Sequence, residues 1–283
     1  MGERTAMDPY AHATAIVRER DRDRFLADLF IPGESRPHFH ALHAFNAEII
    51  RIRDVVTDPV LGEIRQEWWR GVLANPVEGE GNPVAEALMA TVEKFGLPVA
   101  ALNALIEART FDLYNDPMPT LRDFEGYAGE TSSALFQLGA LILNGGADPR
   151  SADAAGHAGV AATLVERILS LPADARRRQL FLPLDRLKAH GVDEEAIFAG
   201  ATTPAIVAAI DGLRRLAREH LAKASAAASA LPPAIRPAFL PLALVDTDLR
   251  RLDAAGRDPL KPLAPAPQWR RQWTLWRRAG RFE

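Results

Sequence analysis

The chain has 283 residues, 48% of them apolar and 25% charged, a globular composition near the upper size that one hydrophobic core serves. Lys and Arg number 34 against 37 Asp and Glu, a net charge of -3, which excludes a generally basic nucleic-acid binder. There is no cysteine, so disulfides, iron–sulfur ligation, cysteine zinc sites and cysteine nucleophiles are excluded as well.

Residues 1–22 are polar and mixed in charge, with Glu3, Asp8 and Glu19. They lack the apolar stretch of a signal peptide and the acid-poor composition of a mitochondrial presequence. A main body is predicted over 23–257. Within it, residues 37–55 carry apolar side chains mostly at three- and four-residue spacings, which predicts a helix. Asp58–Pro59 and Asn82–Pro83 open two more, over 60–73 and 84–95, and Gly96-Leu97-Pro98 closes the second. The pattern returns over 99–114. Thr120 then caps a start with Asp123 at its third position, and the helix runs through Tyr127, with or without a break, into 132–143. Further helices are predicted over 151–170, 192–198, 204–231 and 237–253. No strand-type alternation is sustained anywhere, so the expected class is all-α, with about ten helices. The longest apolar candidate, 134–143, is broken by Gln137 and falls short of the roughly 18 residues of a membrane span. The expected location is therefore cytoplasmic, with a peripheral place at the inner membrane as the second option.

Residues 258–267 hold four prolines and read as a stiff linker to a last segment, 268–283. In that segment Trp269, Trp273 and Trp276 recur at four and three residues, on one helix face. Arg270, Arg271, Arg277, Arg278 and Arg281 oppose only Glu283. A basic helix with an aromatic face is the pattern of an interfacial membrane helix, with Trp269, Trp273, Trp276 and Arg277 as the contact residues. The alternative is that the indole face packs back on the body.

Three stretches in register resemble the squalene/phytoene synthase family: Pro37-His-Phe-His-Ala-Leu-His-Ala-Phe-Asn46, Leu105-Ile-Glu-Ala-Arg-Thr-Phe-Asp112 and Ala173-Asp-Ala-Arg-Arg-Arg-Gln-Leu-Phe-Leu-Pro-Leu184. The resemblance implies a single-domain, isoprenoid-synthase-type helical bundle around a central cavity. It also implies an activity to test: head-to-head condensation of prenyl diphosphates, with magnesium held by two Asp-x-x-x-Asp motifs on facing helices. This chain departs at both motifs. The first falls on Ile50-Arg-Ile-Arg-Asp54, where only Asp54 remains, and the second on Ser170-Leu-Pro-Ala-Asp174, where only Asp174 remains. The family's Gln and Asn one to two turns earlier read Thr163 and Glu166. Pro172 should end its helix near Leu171 and take Asp174 off the face of Ser170.

Further strings, among them Ala44-Phe-Asn-Ala-Glu48 and Tyr127-Ala-Gly-Glu-Thr-Ser-Ser-Ala-Leu135, resemble the non-catalytic branch that contains the mitochondrial complex I assembly factor. That resemblance implies a binding or assembly role with respiratory-complex subunits, and a pocket that could accept a prenyl lipid. No catalytic residue, metal or cofactor is then expected. Arg51, Arg53 and Arg177 would hold a phosphate or lipid head directly, by fork-shaped hydrogen bonds. The alternative is an active magnesium-dependent prenyltransferase in which Asp54, Asp112, Glu166 and Asp174 converge on one cavity. His38, His40 and His43 offer a weaker metal candidate, since two of them lie one turn apart.

Overall fold

Several helices begin where the sequence supplies an acceptor for their free amides. The Asp58 carboxylate accepts from the Val60 amide at 2.9 Å and opens α4 (Pro59–Ala74). The Asn82 side chain accepts from Val84 and Ala85 at 3.0 and 3.2 Å and opens α5 (Pro83–Phe95). Thr120 caps α7 (Leu121–Ala128), and Thr203 caps α12 (Pro204–Ala230). Gly96, at φ 57°, takes the left-handed conformation that ends α5. This computed structural model describes residues 8–254 and 257–280, and among them there is no strand.

At the centre lies α3 (Arg36–Val55). From His38 to Ala47 it is buried on every side, and its last turn emerges into solvent at Arg51, Asp54 and Val55. Around it stand α1 (Pro9–Arg20), α2 (Arg22–Asp28), α4, α5, α6 (Val99–Thr110) and α8 (Ala134–Leu143). The longest pair, α9 (Ala152–Arg176) and α12, packs side by side over much of its length. At 25 and 27 residues these are about 38 and 40 Å long. Short helices α10 (Leu184–Lys188) and α11 (Glu194–Phe198) link them, and α13 (Leu242–Leu252) and α14 (Gln268–Ala279) complete the chain.

Several elements differ from expectation. The stretch set apart as polar contains α1, which buries Ala13, Ile16 and Val17 against α3 and α5. The helix predicted over 99–114 tightens at Phe111–Leu113 into a 3-10 turn, which carries Asp112. Between α7 and α8 the chain stays helical but widens into a π turn at Gly129–Ser133. The turn lies directly on α9 at Gly159, where a Cβ would fall 2.3 Å from the Ser133 backbone nitrogen.

Pro172 does not end α9, which continues to Arg176. Proline removes one amide donor, the one facing the carbonyl four residues back. The following turn holds nonetheless, because Leu171, Asp174 and Ala175 are buried there and the Ser170 hydroxyl donates to Asp174 Oδ2 at 2.6 Å. Ser170 and Asp174 therefore share a face after all.

The proline-rich stretch lies across the body, with Leu260 and Leu263 against the core, and delivers α14 to α2 and α13. Arg281 and Glu283, counted in the tail's charge, lie outside the described residues, as do residues 1–7.

Candidate functional site

The degraded motifs on α3 and α9 do face each other, and arginines span the gap. Arg53 donates to Gln179 Oε1, stands 3.6 Å from Asp174 Oδ1, and lies 4.9 Å over the Phe181 ring. At the rim, Arg177 meets Asp54 at 3.3 Å, with both side chains exposed. Arg51 is not part of this group. It is two residues from Arg53, hence about 200° away round the helix, and it lines a groove with Glu48, Arg65 and Trp68 instead.

Deeper in the bundle, α6, α7 and α9 each contribute to a buried polar knot. Arg109 Nη1 donates to Asp112 Oδ2 at 3.0 Å and to the Tyr127 hydroxyl oxygen at 2.6 Å. Tyr127 in turn donates to Asp112 Oδ1 at 2.8 Å. Arg167 Nη2 donates to the same hydroxyl oxygen at 2.9 Å and lies 4.3 Å over Phe181. All four polar residues are buried. Burial pushes the Tyr127 phenol above its ordinary value against the pull of Arg109, so it stays neutral and serves as a donor. Glu166, largely exposed, adds a carboxylate 3.8 Å from Arg167. Each of the four acids thus has its own arginine: Asp54 with Arg177, Asp112 with Arg109, Asp174 with Arg53, and Glu166 with Arg167.

A magnesium ion wants several hard oxygen ligands in octahedral array. Here the nearest cation to each carboxylate is a guanidinium group, and the residue one turn before Asp174 is a serine. The donor set does not fit that ion. Among the described residues, no three or more His, Asp or Glu side chains form a group that could hold a metal. Of the four acids expected to converge, Asp54 and Asp112 line one groove together with Arg53 and Arg177, whereas Glu166 and Asp174 are not in its lining. This groove of about 270 Å³ opens at the rim, lined by polar side chains including Asp54, Asp58, Asn115 and Gln179.

Sequence reasoning missed Arg109, Tyr127, Arg167 and Phe181 as site residues. Two of them left a signal. Arg109 sits three residues before Asp112, the spacing of a helical ion pair. Arg167 is a charge set within the apolar pattern of α9.

The histidines of α3 lie elsewhere and are held as core hydrogen-bonding groups. His43 Nδ1 is 2.7 Å from the buried Asp28 carboxylate, and His40 Nδ1 is 2.9 Å from the Thr14 hydroxyl. His38 is 2.9 Å from the Thr91 hydroxyl and 3.0 Å from Lys94 Nζ. Burial, helped by the Lys94 ammonium, brings the His38 imidazole down to about 4 from an ordinary 6.5. The folded state therefore resists a proton that the unfolded chain accepts. Stability should be full above about pH 6.5 and decline toward pH 4. His38→Gln should lose less stability than the parent between pH 7 and pH 5, as read by urea midpoints; equal losses would remove His38 from the acid response.

At the far side α14 docks by one face only. Leu275 is fully buried among Leu26, Ala27, Leu240 and Leu244, and Arg271 bridges Asp23 and Asp248. The indoles do not pack back on the body: Trp269, Trp273 and Trp276 are 63%, 54% and 59% exposed. Arg277 is exposed beside Trp276. Among the described residues no helix is long and apolar enough to cross a membrane.

Comparison with known proteins places this geometry. A family model described as squalene/phytoene synthase matches residues 17–277. The rat protein named NADH dehydrogenase (ubiquinone) complex I, assembly factor 6 is 28% identical over 260 residues, covering 90% of this chain and 77% of its own. Phytoene synthase of Thermus thermophilus is 30% identical over 216 residues, covering 73% of this chain and 72% of its own. The crystal structure of squalene synthase HpnC from Alicyclobacillus acidocaldarius superposes with a TM-score of 0.78 at 20% identity, over 90% of this chain and 95% of that one.

Proposed function

The chain belongs to the squalene/phytoene synthase family, and from that premise we propose that it is a non-catalytic member acting as a binding or assembly factor for a membrane respiratory complex. One observation carries the first half: every acidic side chain left at the motif positions is matched to an arginine. A guanidinium fixed beside a carboxylate neutralises it and repels a divalent cation. Ionisation of a prenyl diphosphate needs the reverse, acids free to share metals with the leaving group. The second half is supported by likeness to the rat assembly factor, which spans 90% of this chain. The groove at the rim, small and polar, suits a headgroup or a peptide turn better than a prenyl tail.

Incubation with farnesyl diphosphate and Mg²⁺ should release no diphosphate, and titration should show no magnesium-dependent tight binding. Deletion in the source cell should lower assembled NADH:ubiquinone oxidoreductase in membranes, and Asp54→Asn should restore it as well as the parent does. Magnesium-dependent turnover would return the chain to the prenyltransferases, which its 30% identity to a phytoene synthase keeps as the second reading.

A further inference from the structure

We propose that the outward face of α14 is a seat for an anionic phospholipid bilayer, a role that does not depend on the assembly function. The helix cannot roll freely, because Leu275 is sunk between α2 and α13 and Arg271 is tied to Asp23 and Asp248. Which side faces out is therefore fixed by the body. That side carries Trp269, Trp273 and Trp276, each more than half exposed, with the last two rings stacked at 5.0 Å. The row runs about 10 Å along the helix.

The flanks are as ordered as the row. Leu275 precedes Trp276 and lies about 100° to one side; Arg270 and Arg277 follow Trp269 and Trp276 and lie about 100° to the other. The result is a body side, an indole ridge and a cationic edge, in that order. Arg270 and Arg277 are both exposed, and among the described residues neither meets a carboxylate. The helix has no acidic residue at all. Arg270 lies 5.1 Å over the Trp269 ring, which keeps its charge beside the ridge. Next to Trp276 and Arg277 a recess of about 640 Å³ is walled by Phe30, Pro233 and Pro237. An apolar recess with a guanidinium at its edge matches an acyl chain beneath an anionic head.

A bilayer fits this face better than a protein does. The three tryptophans form a solvent-facing row on a helix that carries arginines and no acid. Indole rings settle at the depth of lipid headgroups, where the ring is in apolar surroundings and the N–H stays wet. A helix with that row and a basic edge lies in the plane of the interface.

The test uses the full-length chain and vesicles of phosphatidylcholine, with and without roughly 30% phosphatidylglycerol. Co-sedimentation with the anionic vesicles should exceed that with neutral ones by about tenfold, fall with added salt, and shift tryptophan emission to the blue. The triple variant W269A/W273A/W276A should lose about tenfold or more. R270Q/R277Q should bind neutral vesicles as the parent does and lose the anionic preference. All five positions are exposed, so both variants should keep the parent's circular dichroism; if the triple variant does not fold, the arginine pair decides. Absence of binding, or binding unchanged in the variant that decides, would overturn the proposal. So would a dimer that the triple variant dissolves, which would give the face to a second copy of the chain.

Discussion

Asp112→Ala is expected to cost about 3–5 kcal/mol of stability, with a fall in melting midpoint on the order of 10 °C. The size follows from what remains. Arg109 is 4% exposed, and its guanidinium answers Asp112 at 3.0 Å. With the carboxylate gone, buried Arg109 loses its ion-pair partner, while Arg167, on the same Tyr127 hydroxyl, keeps only the exposed Glu166 at 3.8 Å. Tyr127 also loses the acceptor of its own proton. Removing one member of a buried pair leaves the desolvation penalty of the other uncompensated. The double variant R109M/D112L should recover part of the loss, because it removes the unpaired Arg109 charge while Tyr127 still lacks the acceptor of its proton. Chemical denaturation of the parent, the single and the double variants measures both. A single-variant loss below about 1 kcal/mol would mean that water reaches the knot.

Gly159→Ala is expected to destabilise by about 1–3 kcal/mol or more, although it adds one methyl group to a helix that would otherwise favour alanine. The new Cβ would lie 2.0 Å from Ser133 Oγ and 2.3 Å from its backbone nitrogen. A side chain could rotate away, but the backbone of the π turn cannot without parting α9 from the helix that carries Tyr127. One turn further along α9, the Thr163 hydroxyl donates to Ser132 Oγ at 2.9 Å, and that bond would open in the same movement. Thermal unfolding, together with exchange protection of the amides of Ser132 and Ser133, would register the change. A melting midpoint equal to or above the parent's would show that the turn yields.

The two effects meet at the same place. The π turn follows directly on α7, so the seat of Gly159 against Ser133 fixes where Tyr127 presents its hydroxyl. Packing of small residues on α9 thus sets the geometry of the polar knot.

Much of this was written in the order of residues. Helix positions follow from spacings of three and four, from Asp58, Asn82 and Thr120 as caps, and from Gly96 as a stop, all of which act within one or two turns. The two motif positions are equally local, since Ile50 and Ser170 stand where the family resemblance leads one to expect acids. Other features depend on distance through space. Arg177 reaches Asp54 from 123 positions away and Arg53 reaches Asp174 across the same gap, so these two pairings exist only once the ends of α3 and α9 face each other. Pro172 shows the same limit from the other direction. Its backbone preference argues for a helix end, but the burial of Leu171 and Asp174 outweighs it. The tail divides in the same way. Its spacing alone put three indoles on one face; only the burial of Leu275 and the ion pairs of Arg271 decided that this face points outward, because a helix has no outside until something is packed against its other side.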